Sequence, residues 1–166
     1  HAADQMTSEE LLDACLAAGA DALVMPEHSF DEQLELAVMA RAVGLEQVLF
    51  LYLEQDLKLL AETKLHAPVI YLQSADLQTG GPFDAVKANE RLGEVRESLG
   101  GREAFVLVGF GIRGAEEAAT LVNSSADGVI IGTALTEAAV RGPGAVADLV
   151  HSMAEVVCSR AESADA

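Results

Sequence analysis

Val106-Leu107-Val108-Gly109-Phe110-Gly111-Ile112 and Ala126-Asp127-Gly128-Val129-Ile130-Ile131-Gly132-Thr133 decide how this chain is read. Each is a short apolar run that closes on glycine where a helical pattern begins, as a buried parallel strand does. Glycine lets a bound group come close to the backbone, and a helix start offers unpaired N–H groups to an anion. Taken singly, Gly109, Gly111 and Gly132 are also ordinary turn residues. Two such strand ends in succession predict a phosphate cradle.

The same alternation runs back through the chain. Thr7 or Ser8 caps a first helix with Leu11, Leu12, Cys15 and Leu16 on its apolar stripe, and Gly19 ends it. Ala22 to Met25 is a short strand stopped by Pro26. Ser29 or Asp31 opens the next helix, with Leu34, Val38 and Ala42 expected inside and Gly44 closing it. Gln47 to Leu53 is a second strand, and Leu57 to Leu65 a short helix with Leu57, Leu60 and Ala61 inward. Pro68 to Leu72 is a third strand, followed by a polar loop from Gln73 to Pro82. A longer helix runs from about Asp84 to Leu99 and stops at Gly100-Gly101. Ala104 to Val108 is the fourth strand. A helix carrying Ala118, Leu121 and Val122 inward then leads to the fifth strand, Gly128 to Ile131. A last helix spans about Gly144 to Arg160, after a flexible Arg141-Gly142-Pro143-Gly144.

Strands and helices alternating five times predict an α/β chain of right-handed βα units around a parallel sheet. Gly19-Ala20-Asp21-Ala22-Leu23-Val24-Met25 weakly echoes Ser125-Ala126-Asp127-Gly128-Val129-Ile130-Ile131, as repeated barrel units do. Five units do not close an eight-stranded barrel, and an open parallel edge is sticky. Residues 1–161 are read as one domain and 162–166 as a fraying acidic tail.

Composition narrows the function. Hydrophobic residues make up 51% of the 166 while aromatics are 4% and Trp is absent, so aliphatic side chains must fill the core. The net charge of −17 argues against nucleic acid as a partner. It is compatible with a salt-adapted source. Cys15 and Cys158 form no metal or disulfide pattern and are read as small core residues. No run approaches the ~18 apolar residues of a membrane span, and no leader pattern is found. A reducing, cytoplasmic setting is expected. The sequence opens on His1, so a processed or cut N-terminus is expected. There is no GxxxxGK[ST] P-loop and a Rossmann unit is not expected, so no cofactor is expected.

With both glycine motifs in hand, the chain resembles the tryptophan synthase α subunit family. VGFGI, a helix, then ADGVIIGTA is similar to the C-terminal part of that family; AGADALVMPE resembles its fourth strand. Tyr71 to Gly80, YLQSADLQTG, resembles its sixth-strand loop. There Ser74, Thr79 and Gly80 match, whereas Ala75 replaces an arginine, Leu77 a glycine and Gln78 a valine. The resemblance covers about residues 8 to 140 and is specific at the last two strands. It implies a partial (β/α)8 TIM barrel holding strands four to eight. It also implies a lyase that splits indole-3-glycerol phosphate into indole and glyceraldehyde 3-phosphate, working with a tryptophan synthase β subunit. The family's two catalytic carboxylates lie on earlier strands, so no residue here inherits them. Gly80, Gly109, Phe110, Gly111, Gly132 and Thr133 fall on its phosphate-binding positions, with Thr133 keeping a hydroxyl where the family has serine. Tyr71 matches a substrate-pocket tyrosine flanking the indole part.

Three explanations fit the absent strands: a cut barrel, one completed by another polypeptide, or a relative that keeps the cradle and has lost the chemistry. Two further functions stay open. One is a non-catalytic partial barrel that closes its sheet by association. The other is a different phosphate-binding barrel of the phosphosugar isomerase type, which shares the last two motifs.

Other candidates have bland alternatives. Glu27-His28, after the first strand, suits acid–base work or a solvated loop. Glu54 and Asp56 suit a metal or a shared proton, but mostly a solvated exit. Asp76 beside the cradle would repel phosphate. Asp127 reads as an N–H acceptor, and His66 and His151 as surface or packing residues rather than metal ligands. Arg113 suits either a phosphate or solvent.

Overall fold

The computed structural model describes residues 6–52, 54–73, 84–109 and 111–164. Its order is α1 (Ser8–Ala17), β1 (Ala22–Val24), α2 (Phe30–Ala42), β2 (Glu46–Leu51), α3 (Glu54–Glu62) and β3 (Val69–Gln73). It continues with α4 (Ala85–Leu99), β4 (Phe105–Gly109), α5 (Ala115–Ser124), β5 (Gly128–Ile130), α6 (Thr133–Arg141) and α7 (Pro143–Ala164). The five strands form one sheet in the order β1-β2-β3-β4-β5, every pair parallel. Strands that follow chain order without reversal are the winding of a barrel, and the fold is an α/β partial TIM barrel.

Local chemistry fixes most helix starts. Thr7 and Ser29 cap α1 and α2, each reciprocated by a glutamate three residues on, Glu10 and Glu32. The Thr7 and Ser29 hydrogen bonds hold both carboxyl groups below the usual carboxylate range. Asp84 caps α4 by accepting from Val86 and Lys87 N–H. At its other end α4 stops at Gly100 and Gly101, both at positive φ.

The core lies on one side of the sheet. Leu49, Leu51, Ile70, Leu72, Val106 and Val108 are fully buried there. They meet Leu60 of α3, Leu92 and Val95 of α4 and Leu121 of α5. A smaller cluster joins Leu12, Leu36, Ala40 and Leu45. On the other face, β2 and β3 carry half-buried residues between the buried ones, and Phe105 on β4 is 54% exposed. The apolar runs of β2 and β3 are therefore fully buried on one face and half-buried on the other.

Several inward faces differ from the expectation. In α2 the buried residues are Phe30, Gln33, Leu36, Ala37 and Ala40, while Val38 is 64% exposed and Ala42 is exposed. The reason is Gln33: its Oε1 accepts Phe50 N–H at 2.6 Å, and its Nε2 donates to the carbonyls of His28 and Phe50. That polar anchor rotates the helix away from the purely apolar stripe. Ala61 is exposed beside buried Leu60. Leu16 is 41% exposed and Cys158 is exposed, so the latter is no core residue; Cys15 packs half-buried on the smaller cluster. The segment read as flexible is a one-residue joint: Gly142, at φ 117°, separates α6 from α7.

Three arginines staple loops by their carbonyls. Arg41 pairs with Glu46 and donates to the His66 and Ala67 carbonyls, holding Ala67 at φ 43°, a strained conformation for alanine. Arg96 ties the Ala104 and Ser125 carbonyls to Asp127. Arg102 donates to the carbonyls of Leu60, Ala61, Thr63, Ser98 and Leu99. Among the described residues no helix is long and apolar enough to cross a membrane.

Candidate functional site

The two motifs that open the reading end on neighbouring strands. Gly109 is the last residue of β4 and pairs with Ile130 of β5 on one side and Gln73 of β3 on the other. Gly111 sits at φ 80°, a conformation glycine adopts at no steric cost. Gly132 caps α6 without any side-chain hydrogen bond, and Thr133 is its first helical residue. Both are exposed. Gly80 and Phe110 lie outside the described residues, as do Ser74, Ala75, Asp76, Leu77, Gln78 and Thr79.

The two helix starts beyond these strands differ in charge. At α5 the Glu117 carboxylate accepts the Gly114 N–H at 2.9 Å, so an acid already occupies that positive end. At α6 the first turn holds no acidic residue and the cap offers no side chain. Its leading N–H groups are the ones left to an anion. Thr136 turns back instead, its N–H and hydroxyl both donating to the Gly132 carbonyl. Arg113 is exposed between the two motifs.

Tyr71 links this end to the neighbouring strands. A Cβ placed on Gly109 would lie 2.5 Å from Tyr71 Cε2 and 2.7 Å from its hydroxyl. The close approach at Gly109 is thus made by the tyrosine ring. The ring meets Phe50 edge-on, centroids 5.1 Å apart at 86°. Burial pushes the Tyr71 phenol pKa upward.

Phe50 also walls a cavity of about 440 Å³ with Pro26, Glu27, His28, Tyr52, Asp56 and Gln73 among its lining. It opens at the C-terminal ends of β1, β2 and β3, the end where barrel sites lie. Asp56, read as solvated, is 6% exposed, and its Oδ2 accepts the Tyr52 N–H at 3.3 Å. Glu27, His28 and Asp56, far apart in sequence, thus share one cavity. His28 Nδ1 is buried without a hydrogen-bond partner. His66 is exposed; His151 is exposed too, 3.3 Å from Glu155. Among the described residues no three His, Cys, Asp or Glu side chains cluster to hold a metal.

Gly109, Gly111 and Gly114 stand at G-x-G-x-x-G spacing between a strand and a helix. The spacing excludes nothing; the strand order argues against a dinucleotide fold. Such folds bind where the strand order reverses, and this sheet has no reversal. Asp127, moreover, lies before β5 and accepts from Val106 N–H at 2.7 Å and from Arg96.

The sequence model of the tryptophan synthase alpha chain matches residues 3–163. The chain belongs to the tryptophan synthase alpha chain family. The alpha chain of Synechococcus elongatus is 33% identical over 157 residues, covering 90% of this chain and 56% of that protein. That of Azoarcus sp. is 29% identical over 142 residues, covering 84% and 51%. The chain spans about half the length of these curated relatives. Tryptophan synthase from M. tuberculosis superposes with a TM-score of 0.71 at 23% identity, over 91% of this chain and 56% of that one. The A-subunit from Pyrococcus furiosus gives 0.67 at 22%, over 91% and 60%. At such identities these structures speak for the fold.

Proposed function

We propose that this chain is the phosphate-holding part of an indole-3-glycerol-phosphate lyase. Gly109, Gly111, Gly132 and Thr133, together with Gly80 and Phe110, would bind the phosphate, and Tyr71 would flank the indole part. The observation that carries the reading is the start of α6. It is free of acid and side-chain caps, and follows a strand that pairs with the one ending in Gly109. Backbone N–H groups at a helix start bind phosphate without a charged side chain. In an acidic chain, an acid-free helix start is where an anion is repelled least. Membership of the alpha chain family supports this substrate class. By the family resemblance, the two carboxylates that would break the carbon–carbon bond stand on earlier strands, and no residue described here is proposed for either role. The Pyrococcus furiosus relative forms an a2b2 complex, and a β-type subunit is the partner proposed here.

Titration calorimetry with glycerol 3-phosphate and indole-3-glycerol phosphate tests the site. Both should bind, without indole release from this chain alone. Gly132→Asp separates ligand binding from folding. Nothing lies within 4 Å of a Cβ there, and aspartate is a better cap than glycine by a few tenths of a kcal/mol. The variant should be as stable as the parent or slightly more so, and bind at least tenfold more weakly. Absence of binding by the parent chain at millimolar ligand, or unchanged binding by Gly132→Asp, refutes the assignment.

A further inference from the structure

We infer that Gln33 is a positioning residue for the aromatic part of the ligand, acting through Phe50 on the ring of Tyr71. The inference rests on the reading above that Tyr71 flanks the indole part. It starts from a polar side chain in an apolar place. Gln33 belongs to α2 and is 2% exposed. An amide buried that far must make its hydrogen bonds inside the protein. Here they go to the backbone of β2: Oε1 accepts Phe50 N–H at 2.6 Å, and Nε2 donates to the Phe50 carbonyl at 3.3 Å.

A continued β1 would take both of those groups. The register pairs Ala22 with Glu46 and Val24 with Val48, which would set Pro26 opposite Phe50. But β1 ends at Val24, and the Met25 carbonyl accepts from His28 N–H as the chain turns away. A glutamine side chain carries both an acceptor and donors, so it can stand in for a peptide group. Gln33 thus adds one rung to the ladder after the strand has left it. Its Nε2 also donates to the His28 carbonyl at 3.1 Å. One amide therefore ties together two walls of the cavity that His28 and Phe50 line.

Packing passes the clamp on. Phe50 pairs with Tyr71 across the sheet, and its ring meets the tyrosine edge-on. The same tyrosine ring closes on Gly109, where it leaves no room for a Cβ. A ring held between a neighbouring ring and a glycine backbone has little freedom to turn. Loosening Phe50 releases it, and changes the surface Tyr71 offers to a flat aromatic group. The start of α6 follows β5, which stands two strands from β3 in the sheet order. Gln33 therefore governs how the aromatic part is held and leaves the phosphate part alone.

Titration calorimetry with indole-3-glycerol phosphate and with glycerol 3-phosphate separates the two parts. Gln33→Met should weaken binding of the first at least fivefold and leave the second within twofold. The ring itself is read without ligand. Trp is absent and Tyr52, the other tyrosine, is 42% exposed, so the near-ultraviolet tyrosine band reports chiefly Tyr71. Gln33→Met should at least halve that band, with the far-ultraviolet spectrum unchanged. Phe50→Leu should give the same split between ligands, and adding Gln33→Met to it should cost no further affinity. Gln33→Glu keeps the shape and the acceptor for Phe50 N–H. It should show the same split to a smaller degree, and it decides the matter if the methionine variant does not fold. An unchanged tyrosine band, equal weakening of both ligands, or additive losses in the double variant overturn the inference. A parent chain that binds neither ligand refutes the phosphate site and this inference with it. A parent that binds both, with Gln33→Met changing nothing, refutes this inference alone.

Discussion

Replacing Gly109 by alanine isolates one contact. The glycine's φ is not positive, so alanine meets no backbone penalty. Its Cβ would instead stand 2.5 Å from Tyr71 Cε2, 2.7 Å from the hydroxyl and 2.9 Å from Cζ. A rigid ring cannot yield at one atom; it must swing as a whole. Phe50 stands against it edge-on at a centroid distance of 5.1 Å, so the ring must turn away from Phe50. Overpacking of this kind costs about 1–3 kcal/mol. The half-buried ring has somewhere to go, which places the expected loss near ~1–2 kcal/mol, including part of an aromatic pair worth about 0.5–1.5 kcal/mol. Urea unfolding should show the midpoint fall with the slope unchanged. In a Tyr71→Ala background the same substitution should cost nothing, or stabilise by up to ~1 kcal/mol because glycine is a poor strand residue. The double-mutant cycle should therefore give a coupling above ~1 kcal/mol. Gly111→Ala is the contrast: at φ 80° it should lose about 1–2 kcal/mol whatever stands at position 71. Equal losses from Gly109→Ala in both backgrounds would refute the steric argument.

Three other outcomes are expected. Arg102→Ala removes a cation shared by five carbonyls at the ends of α3 and α4. It should lower stability by about 2–3 kcal/mol in urea melts, with Arg102→Lys restoring only part of it. Tyr71 holds its proton more tightly when folded. Its contribution is therefore complete below pH 10.0, the unfolded value, and fades as pH rises through the folded one. An ultraviolet titration should show one of the two tyrosines ionising late, and Tyr71→Phe should abolish that component. Finally, with 27 acidic against 10 basic side chains, added salt should raise the melting temperature by screening self-repulsion. A flat salt dependence would show that the charges are spaced too widely to matter.

Features written into adjacent residues were legible in the sequence. The Thr7 and Ser29 caps, the Gly100 stop and the α5 face of Ala118, Leu121 and Val122 all follow from neighbours a turn away. The separate helix α6 was not, because its Ala- and Thr-rich run merges with the preceding strand pattern. Nor was the inner face of α2, which is set by Gln33 reaching the backbone of Phe50 seventeen residues on. Asp56 looked like one of many surface acids, and only the fold shows it buried over the Tyr52 N–H.

The candidate site divides in the same way. Its glycines and its family membership are properties of the chain order of residues, which fixes strand ends and helix starts. The two helix starts were told apart by one side chain: Glu117 accepts the Gly114 N–H at α5, and the first turn of α6 holds no acidic residue. What fills the space above Gly109 was decided across the β3–β4 pairing, by Tyr71. By itself, the sequence determined five βα units, because caps, turns and apolar runs act over a few residues. Only the tertiary structure decided that Gln33 sets the inner face of α2 and that Tyr71 fills the space above Gly109. Both contacts join residues far apart in the chain that meet only through strand pairing and helix packing, which no local pattern encodes.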